Sequence, residues 1–329
     1  MSDDAPSNHD HRPGEKAPRL RDISRGGWNR IVRRVYQQIG EDQIALLAAG
    51  VAFYGMLALI PALIAIITLW GLVSDPATVE QQIDSVAAIL PPSVEGLIGE
   101  QMRDIVNRTE ESTLTLGFIL ALAGTLWTTS SGMLGLIRAV NLAYKEDEDR
   151  NILKLRGLAL MMTLGALLFI IVSLALVAVL PPVLKAVGLG SVAKTLITAV
   201  RWPALALMVV AALAAVYRFA PNRRDPQWRW VSLGALMATL LWLIGSYLFS
   251  LYVSNMGSYN ETYGSLGTAI ILLLWLFLTS FVVLLGAEIN SEIEHHTVVD
   301  STVGEDRPMG DRDAFVADTP PGRDHPITR

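Results

Sequence analysis

Five long stretches of this chain, residues 44–74, 112–137, 157–184, 230–260 and 262–287, contain no charged side chain. A sixth, residues 195–217, holds one, Arg201. A bilayer core is crossed by about 20 apolar residues in a helix. Hydrocarbon offers no partner to a peptide N–H or C=O, so each stretch must close its own hydrogen bonds as a helix. The sequence therefore predicts an all-α, polytopic membrane protein. Its six transmembrane helices are expected at about 44–73, 114–137, 157–184, 195–217, 231–253 and 267–290. Charged residues are 17% of the 329, against about 25% in soluble globular chains. A deficit gathered into blocks excludes a soluble two-domain enzyme, a disordered chain and a fibrous protein. The absence of Cys excludes a disulfide framework, a thiolate zinc site and a cysteine nucleophile. A net charge of -5 gives no global reason to expect nucleic acid as a partner.

Lys and Arg gather on the cytoplasmic side of membrane proteins. Alternate segments between the blocks hold 21 of the 26 Lys and Arg, and the intervening ones hold four. Both termini are therefore expected in the cytoplasm. Residues 1–27 read as a disordered cytoplasmic tail with no cleavable leader. Residues 28–43 read as a basic amphipathic helix, with Trp28, Ile31, Val32, Val35, Tyr36 and Ile39 on one face and Arg30, Arg33 and Arg34 off it. Such a helix lies on the inner leaflet or packs on the bundle, and both readings stand. Residues 44–296 form the membrane domain. Between its first two spans, residues 75–111 predict an outer amphipathic helical hairpin, begun by Asp75-Pro76 and broken by Pro91-Pro92. Residues 297–329 are expected to be a disordered cytoplasmic tail.

Several polar or kink-forming residues lie in or beside the spans. The first span carries Tyr54 and Pro61. Proline frees the carbonyl of Leu57 and kinks the helix, as happens around transporter sites and also in bundles without one. Ala45, Ala48 and Ala52 make a small-residue stripe suited to close helix packing. The second span holds Thr125, Thr128, Thr129, Ser130 and Ser131, with Arg138 and Asn141 at its cytoplasmic end. Those hydroxyls either bond to backbone carbonyls or line a hydrophilic cavity. Arg201, beside Trp202, either snorkels to the outer interface or holds a phosphate or carboxylate head group. Tyr259 and Tyr263 fit an aromatic belt or the lip of a polar binding site. The last span ends in Glu288, Asn290, Glu292 and His295. Acidic groups near a helix C-terminus oppose its dipole. They mark a helix running on into water, a proton or cation relay, or half of a metal site. No Walker loop, Gly-x-Ser-x-Gly elbow or His-Glu-x-x-His occurs, so neither an enzyme nor a cofactor is expected.

Three sets of residues resemble the YihY/BrkB family. They are Leu47-Ala-Ala-Gly-Val-Ala-Phe-Tyr-Gly-Met-Leu-Ala-Leu-Ile-Pro61; Leu126-Trp-Thr-Thr-Ser-Ser-Gly with Arg138-Ala-Val-Asn-Leu-Ala-Tyr144; and Tyr259-Asn-Glu-Thr-Tyr-Gly-Ser-Leu-Gly-Thr268 with Leu285-Gly-Ala-Glu-Ile-Asn-Ser-Glu292. The resemblance covers residues 28–296 and implies a six-helix, multi-pass protein of the bacterial inner membrane. Some members of the family are linked to virulence or to envelope lipid export. An old ribonuclease label travels with the family too, but nothing in these residues supports it. The function expected is a transporter or flippase-like protein for an amphipathic or anionic envelope component. Its partners would be membrane lipids and a lipid or glycolipid substrate. The alternative is a structural or interaction protein whose polar groups hold helices together. A membrane enzyme comes third, for want of a clustered nucleophile and base.

Overall fold

The uncharged stretches fold as helices, and the helices outrun them. The computed structural model describes residues 25–71, 116–179, 191–224, 226–254, 265–295, 302, 308 and 310–319. Along these run α1 (Arg25–Glu41), α2 (Ile44–Gly71), α3 (Leu116–Ala143), α4 (Ile152–Leu174), α5 (Ser191–Phe219), α6 (Trp228–Ser254), α7 (Ser265–His295) and α8 (Phe315–Asp318). α4 continues into a π-helical turn, Ala175–Val179. A charge ends a hydrocarbon span without ending a helix. So α3 runs through Arg138 and Asn141. α4 likewise begins before its apolar block, where Asn151 caps it by accepting from Leu153 N at 3.3 Å. Beyond helix, the described residues hold one isolated antiparallel bridge, Pro226 to Thr302.

Five helical segments are long and apolar enough to cross a membrane: Ile44–Ala62, Ile152–Val177, Ala199–Phe219, Val231–Ser254 and Ala269–His295. α3 is as long as α2, at 28 residues each. The expected outer hairpin, Tyr259 and Tyr263 lie outside the described residues, as do residues 1–24.

The buried side chains of the later helices gather at one end of the bundle. In α5 they are Ala214 and Tyr217, in α6 Val231, Ala235 and Ala238, and in α7 Val282, Leu284 and Ala287. Lipid tails are as apolar as leucine, so helices meet here through close van der Waals fit. Gly132 and Gly135 let α3 approach Tyr54 of α2, where an added Cβ would lie at 3.4 Å from Tyr54 O and 3.5 Å from its ring. Of the expected stripe, Ala48 and Ala52 are buried and Ala45 is exposed. Pro61 sits inside an uninterrupted α2. At the α6–α7 crossing, Gly234 and Gly286 leave no room for a side chain. A Cβ on Gly286 would collide with the Tyr217 hydroxyl and with Ala238.

α1 divides its apolar face. Ile31 and Val35 are buried against Ile293 of α7. Trp28, Val32 and Tyr36, spaced four apart, remain exposed. The bundle thus takes one side of α1 and leaves an exposed apolar strip beside Arg33. Within the C-terminal segment the structure describes residues 310–319. There the Asp318 carboxylate accepts from Gly310 N at 2.7 Å and Arg312 N at 2.9 Å, and Arg312 is buried with its guanidinium on Ala317 O at 2.9 Å. Ala314, Val316 and Ala317 are buried as well. A short apolar run inside a polar tail is enough to dock it.

The glycine crossing generates a stability prediction. Gly286→Ala should lower the thermal unfolding midpoint in detergent, by an amount corresponding to about 1–3 kcal/mol of overpacking. Gly50→Ala should not, because open space surrounds Gly50.

Candidate functional site

The end of α7 is the most polar buried surface in the described structure. Glu288, Asn290, Ser291, Glu292, Glu294 and His295 are all buried. A buried carboxylate without compensation costs several kcal/mol, so the partners decide what each group does.

Three of these residues are fastened to other elements. Glu294 makes a bidentate pair with Arg223 of the α5–α6 loop, at 2.8 and 2.5 Å, and both side chains are almost fully buried. Arg223 also lies over the Tyr144 ring, 5.6 Å from its centroid. Asn290 clamps α6: its Oδ1 accepts from Gly234 N at 2.8 Å and its Nδ2 donates to Val231 O at 3.2 Å. His295 meets Thr319 Oγ1 at 2.9 Å, and Thr319 in turn donates to Phe315 O at 2.7 Å. The hydroxyl proton is therefore committed, which assigns the proton between the two to His295 Nε2.

Glu288 and Glu292 are held differently. Glu292 faces Arg34 of α1 at 3.0 Å, as a charge contact. Glu288 has 0% exposure, no N–H donor among the described residues reaches its oxygens, and its side-chain hydrogen-bond partner is another carboxyl, that of Asp42. The charges acting on it are Asp42, at the α1–α2 turn, and Glu292, with Lys145 opposing. Lys145 stands at the end of α3 in the left-handed conformation (φ 56°), where Glu146 N reaches back to Asn141 O at 3.0 Å. Elements distant in sequence thus converge on one carboxyl.

The other sequence-predicted residues are not gathered there. Thr128 and Thr129 donate to Gly124 O and Thr125 O, both at 2.9 Å, and Ser130 donates to Trp127 O at 2.7 Å. Ser130 and Ser131 also accept from Arg156 of α4, each at 3.2 Å. Asn141 joins two loops: its Oδ1 accepts from Asn222 N and its Nδ2 donates to Glu148, both at 2.7 Å. Arg138 is exposed. Tyr54 is half exposed against Gly135, and Pro61 is partly buried. Arg201 donates to Val177 O in the π-turn at 3.3 Å and lies 5.1 Å from the Trp202 ring. It ties α5 to α4 and sits away from Glu288. No group of three His, Asp or Glu among the described residues is placed to hold a metal ion.

Sequence reasoning missed Arg34, Arg156, Arg223 and Glu146. Glu146, in the α3–α4 loop, accepts from Phe315 N at 2.8 Å. Burial, with smaller contributions from Glu294 and Asp318, pushes its carboxyl up to about 7, against the pull of Arg223 and the Phe315 N–H. A usable signal existed in the unmatched charges: Arg223 and Arg224 in a short loop, and acids at the end of α7 with no cation on their own helix.

Residues 35–309 match the family described as Virulence factor BrkB. A ribonuclease-like protein of Bacillus subtilis, YfkH, is 32% identical over 253 residues, 74% of this chain and 88% of that protein. A UPF0761 membrane protein of Alteromonas mediterranea is 27% identical over 283 residues, 84% and 89% of the two chains. Another, of Psychromonas ingrahamii, is 25% identical over 266 residues, 79% and 86%. No solved structure matches the chain.

Two predictions follow from these pairings. Glu294→Gln strands the buried Arg223 and should destabilise the protein by about 3–5 kcal/mol. The double variant Arg223→Met/Glu294→Leu should recover much of that loss in thermal unfolding. Glu146 is protonated more tightly in the folded than in the unfolded chain. Its stabilising contribution is therefore complete below its ordinary value of 4.5, declines as pH rises to about 7, and then levels off. Unfolding midpoints measured across that window should fall less steeply in Glu146→Gln than in the parent protein.

Proposed function

This chain belongs to the virulence factor BrkB family, and from that premise we propose that it is a transporter or flippase-like protein for an amphipathic or anionic envelope component. It is an integral membrane protein. In this reading α3 is the second of six spans, the membrane is the bacterial inner membrane, and both termini are cytoplasmic. The positive segments favour that orientation, since they fall in alternate connections.

One observation carries the proposal. Glu288 is fully buried at the end of an apolar helix, hydrogen-bonded to a second carboxyl, Asp42, and beside a third, Glu292, with no N–H donor on its oxygens among the described residues. An ionisable group so placed in a membrane protein is costly to keep and marks a transport path or relay. It can take up and release a proton or small cation when the elements around it shift. Those elements are α1, the α1–α2 turn and the end of α3. α1 also presents Trp28, Val32 and Tyr36 to the leaflet, so a change at the membrane surface can reach the carboxyl.

The structural alternative keeps one specific support. Asn290 and the hydroxyls of Thr128, Thr129, Thr163 and Thr239 are committed to backbone carbonyls, as packing groups are. The ribonuclease-like name of the Bacillus relative is not carried over. The polar groups here are ordered as ion pairs and helix clamps, and the reading is non-enzymatic.

The test is transbilayer movement of a fluorescent phosphatidylglycerol in vesicles of phosphatidylethanolamine and phosphatidylglycerol containing the purified protein. The parent protein should accelerate movement and respond to an imposed pH gradient. Glu288→Gln should lose that response while remaining folded. Movement no faster than in protein-free vesicles, or an unchanged response in Glu288→Gln, would turn the assignment to the structural alternative.

A further inference from the structure

A second polar centre lies between α3 and α4, and it has the opposite sign. Arg156 is in the apolar segment Ile152–Val177, a little over one turn from the start of α4. That is about 6 Å along the helix, close to the start of the apolar segment. Its contacts among the described residues are with neutral groups. Nη1 donates to Ser130 Oγ and Ser131 Oγ, each at 3.2 Å, and the guanidinium carbon lies 4.6 Å from the Trp127 ring centroid. Among the described residues no carboxylate pairs with it. A cation within a membrane span that lacks a counter-ion wants one.

The geometry around Arg156 is ready for an anion. Trp127 covers one face of the guanidinium, which fixes the plane of its N–H fork. The fork retains donors, since the two bonds use Nη1 and a guanidinium has five N–H groups. Ser130 spends its proton on Trp127 O at 2.7 Å. Ser131 accepts from Arg156 and keeps its own proton for another acceptor. Trp127 on α3 and Leu164 and Leu168 on α4 are exposed. An acyl chain has an apolar bed there. Arg138 is exposed two turns from Ser131 on the same stripe of α3, about 10 Å nearer the helix C-terminus.

We propose that Arg156, Ser130, Ser131 and Trp127 form a phosphate-binding site for a phospholipid head group at the lipid-facing edge between α3 and α4. The guanidinium fork takes two phosphate oxygens, and the Ser131 hydroxyl donates to one of them. The glycerol and chains extend over Leu164 and Leu168. Arg138 attracts the head group from the membrane surface. The site deepens the transport reading, on which it rests for its role, by naming the cargo class as a phosphate-bearing lipid.

The experiment is native mass spectrometry of the full chain in a mild detergent, titrated with dioleoylphosphatidylglycerol, with dioleoylglycerol or with inorganic phosphate. The parent protein should retain one phosphatidylglycerol per chain and no dioleoylglycerol. Millimolar inorganic phosphate should not displace the lipid. Arg156→Gln should weaken retention about tenfold or more, as loss of a charge-assisted fork does, and Arg156→Lys should restore only part of it. Ser131→Ala removes one hydroxyl and should weaken retention less. It also decides the case if Arg156→Gln fails to fold. Equal retention in the parent protein and in folded Arg156→Gln would overturn the site. So would equal retention of dioleoylglycerol. Displacement of the lipid by inorganic phosphate would overturn the lipid assignment in favour of a free-anion site. Binding here is read at equilibrium, without flux, so its failure and that of the transport reading are scored separately.

Discussion

A helix that carries acids into a low-dielectric interior has to be met there by donors and cations from elsewhere. α7 imposes this demand on the rest of the fold. Its last two turns bury Glu288, Glu292, Glu294 and His295. α1 answers with Arg34, the α5–α6 loop with Arg223, and the C-terminal segment with Thr319. Each contact is long in sequence, so each fixes a different part of the chain against the same helix. The core gathers at this end because the polar groups that must be covered are here. A tail that would otherwise stay solvated docks here too.

Backbone proximity makes the arrangement possible. Asn290 can reach two backbone groups of α6 only because Gly234 and Gly286 bring the helices together. Tyr217 reaches Val283 O at 2.8 Å across the same junction. In lipid there is little hydrophobic gain from joining two apolar helices, so fit and interhelical hydrogen bonds carry the association. The glycines supply the fit and Asn290 and Tyr217 the bonds. The polar end and the close crossing are thus one device.

The two centres differ in how they treat charge. Around Glu288 acids outnumber aligned donors, and the group is sealed inside. Around Arg156 a cation meets neutral hydroxyls at an exposed edge. A buried acid suits exchange of a small ion, which needs little room. An edge cation suits a ligand whose apolar part stays in the bilayer. α3 touches both, through Ser130 and Ser131 at one level and Lys145 at another.

The sequence by itself determined that the chain is helical and lies in a membrane. Backbone groups in hydrocarbon leave no other choice for long uncharged stretches, and that demand is local. Five of the expected spans appear as apolar helices, and helices continue past their charges, as α3 does at Arg138 and α4 does before residue 157. Glu288 was legible as an oddity because it opposes its own helix dipole. Its surroundings were not, since Asp42, Lys145 and Arg34 come from segments that only folding brings near. Ser130 and Ser131 were legible as hydroxyls in a span, while Arg156 counted only as one more positive charge in a loop. Asn141 at a helix end and Arg201, read either as snorkelling or as holding a head group, gave no sign in the sequence of the elements they tie together. Tertiary structure alone decided which charges pair and which stay unmatched, because pairing depends on distances that residue spacing along one helix does not contain.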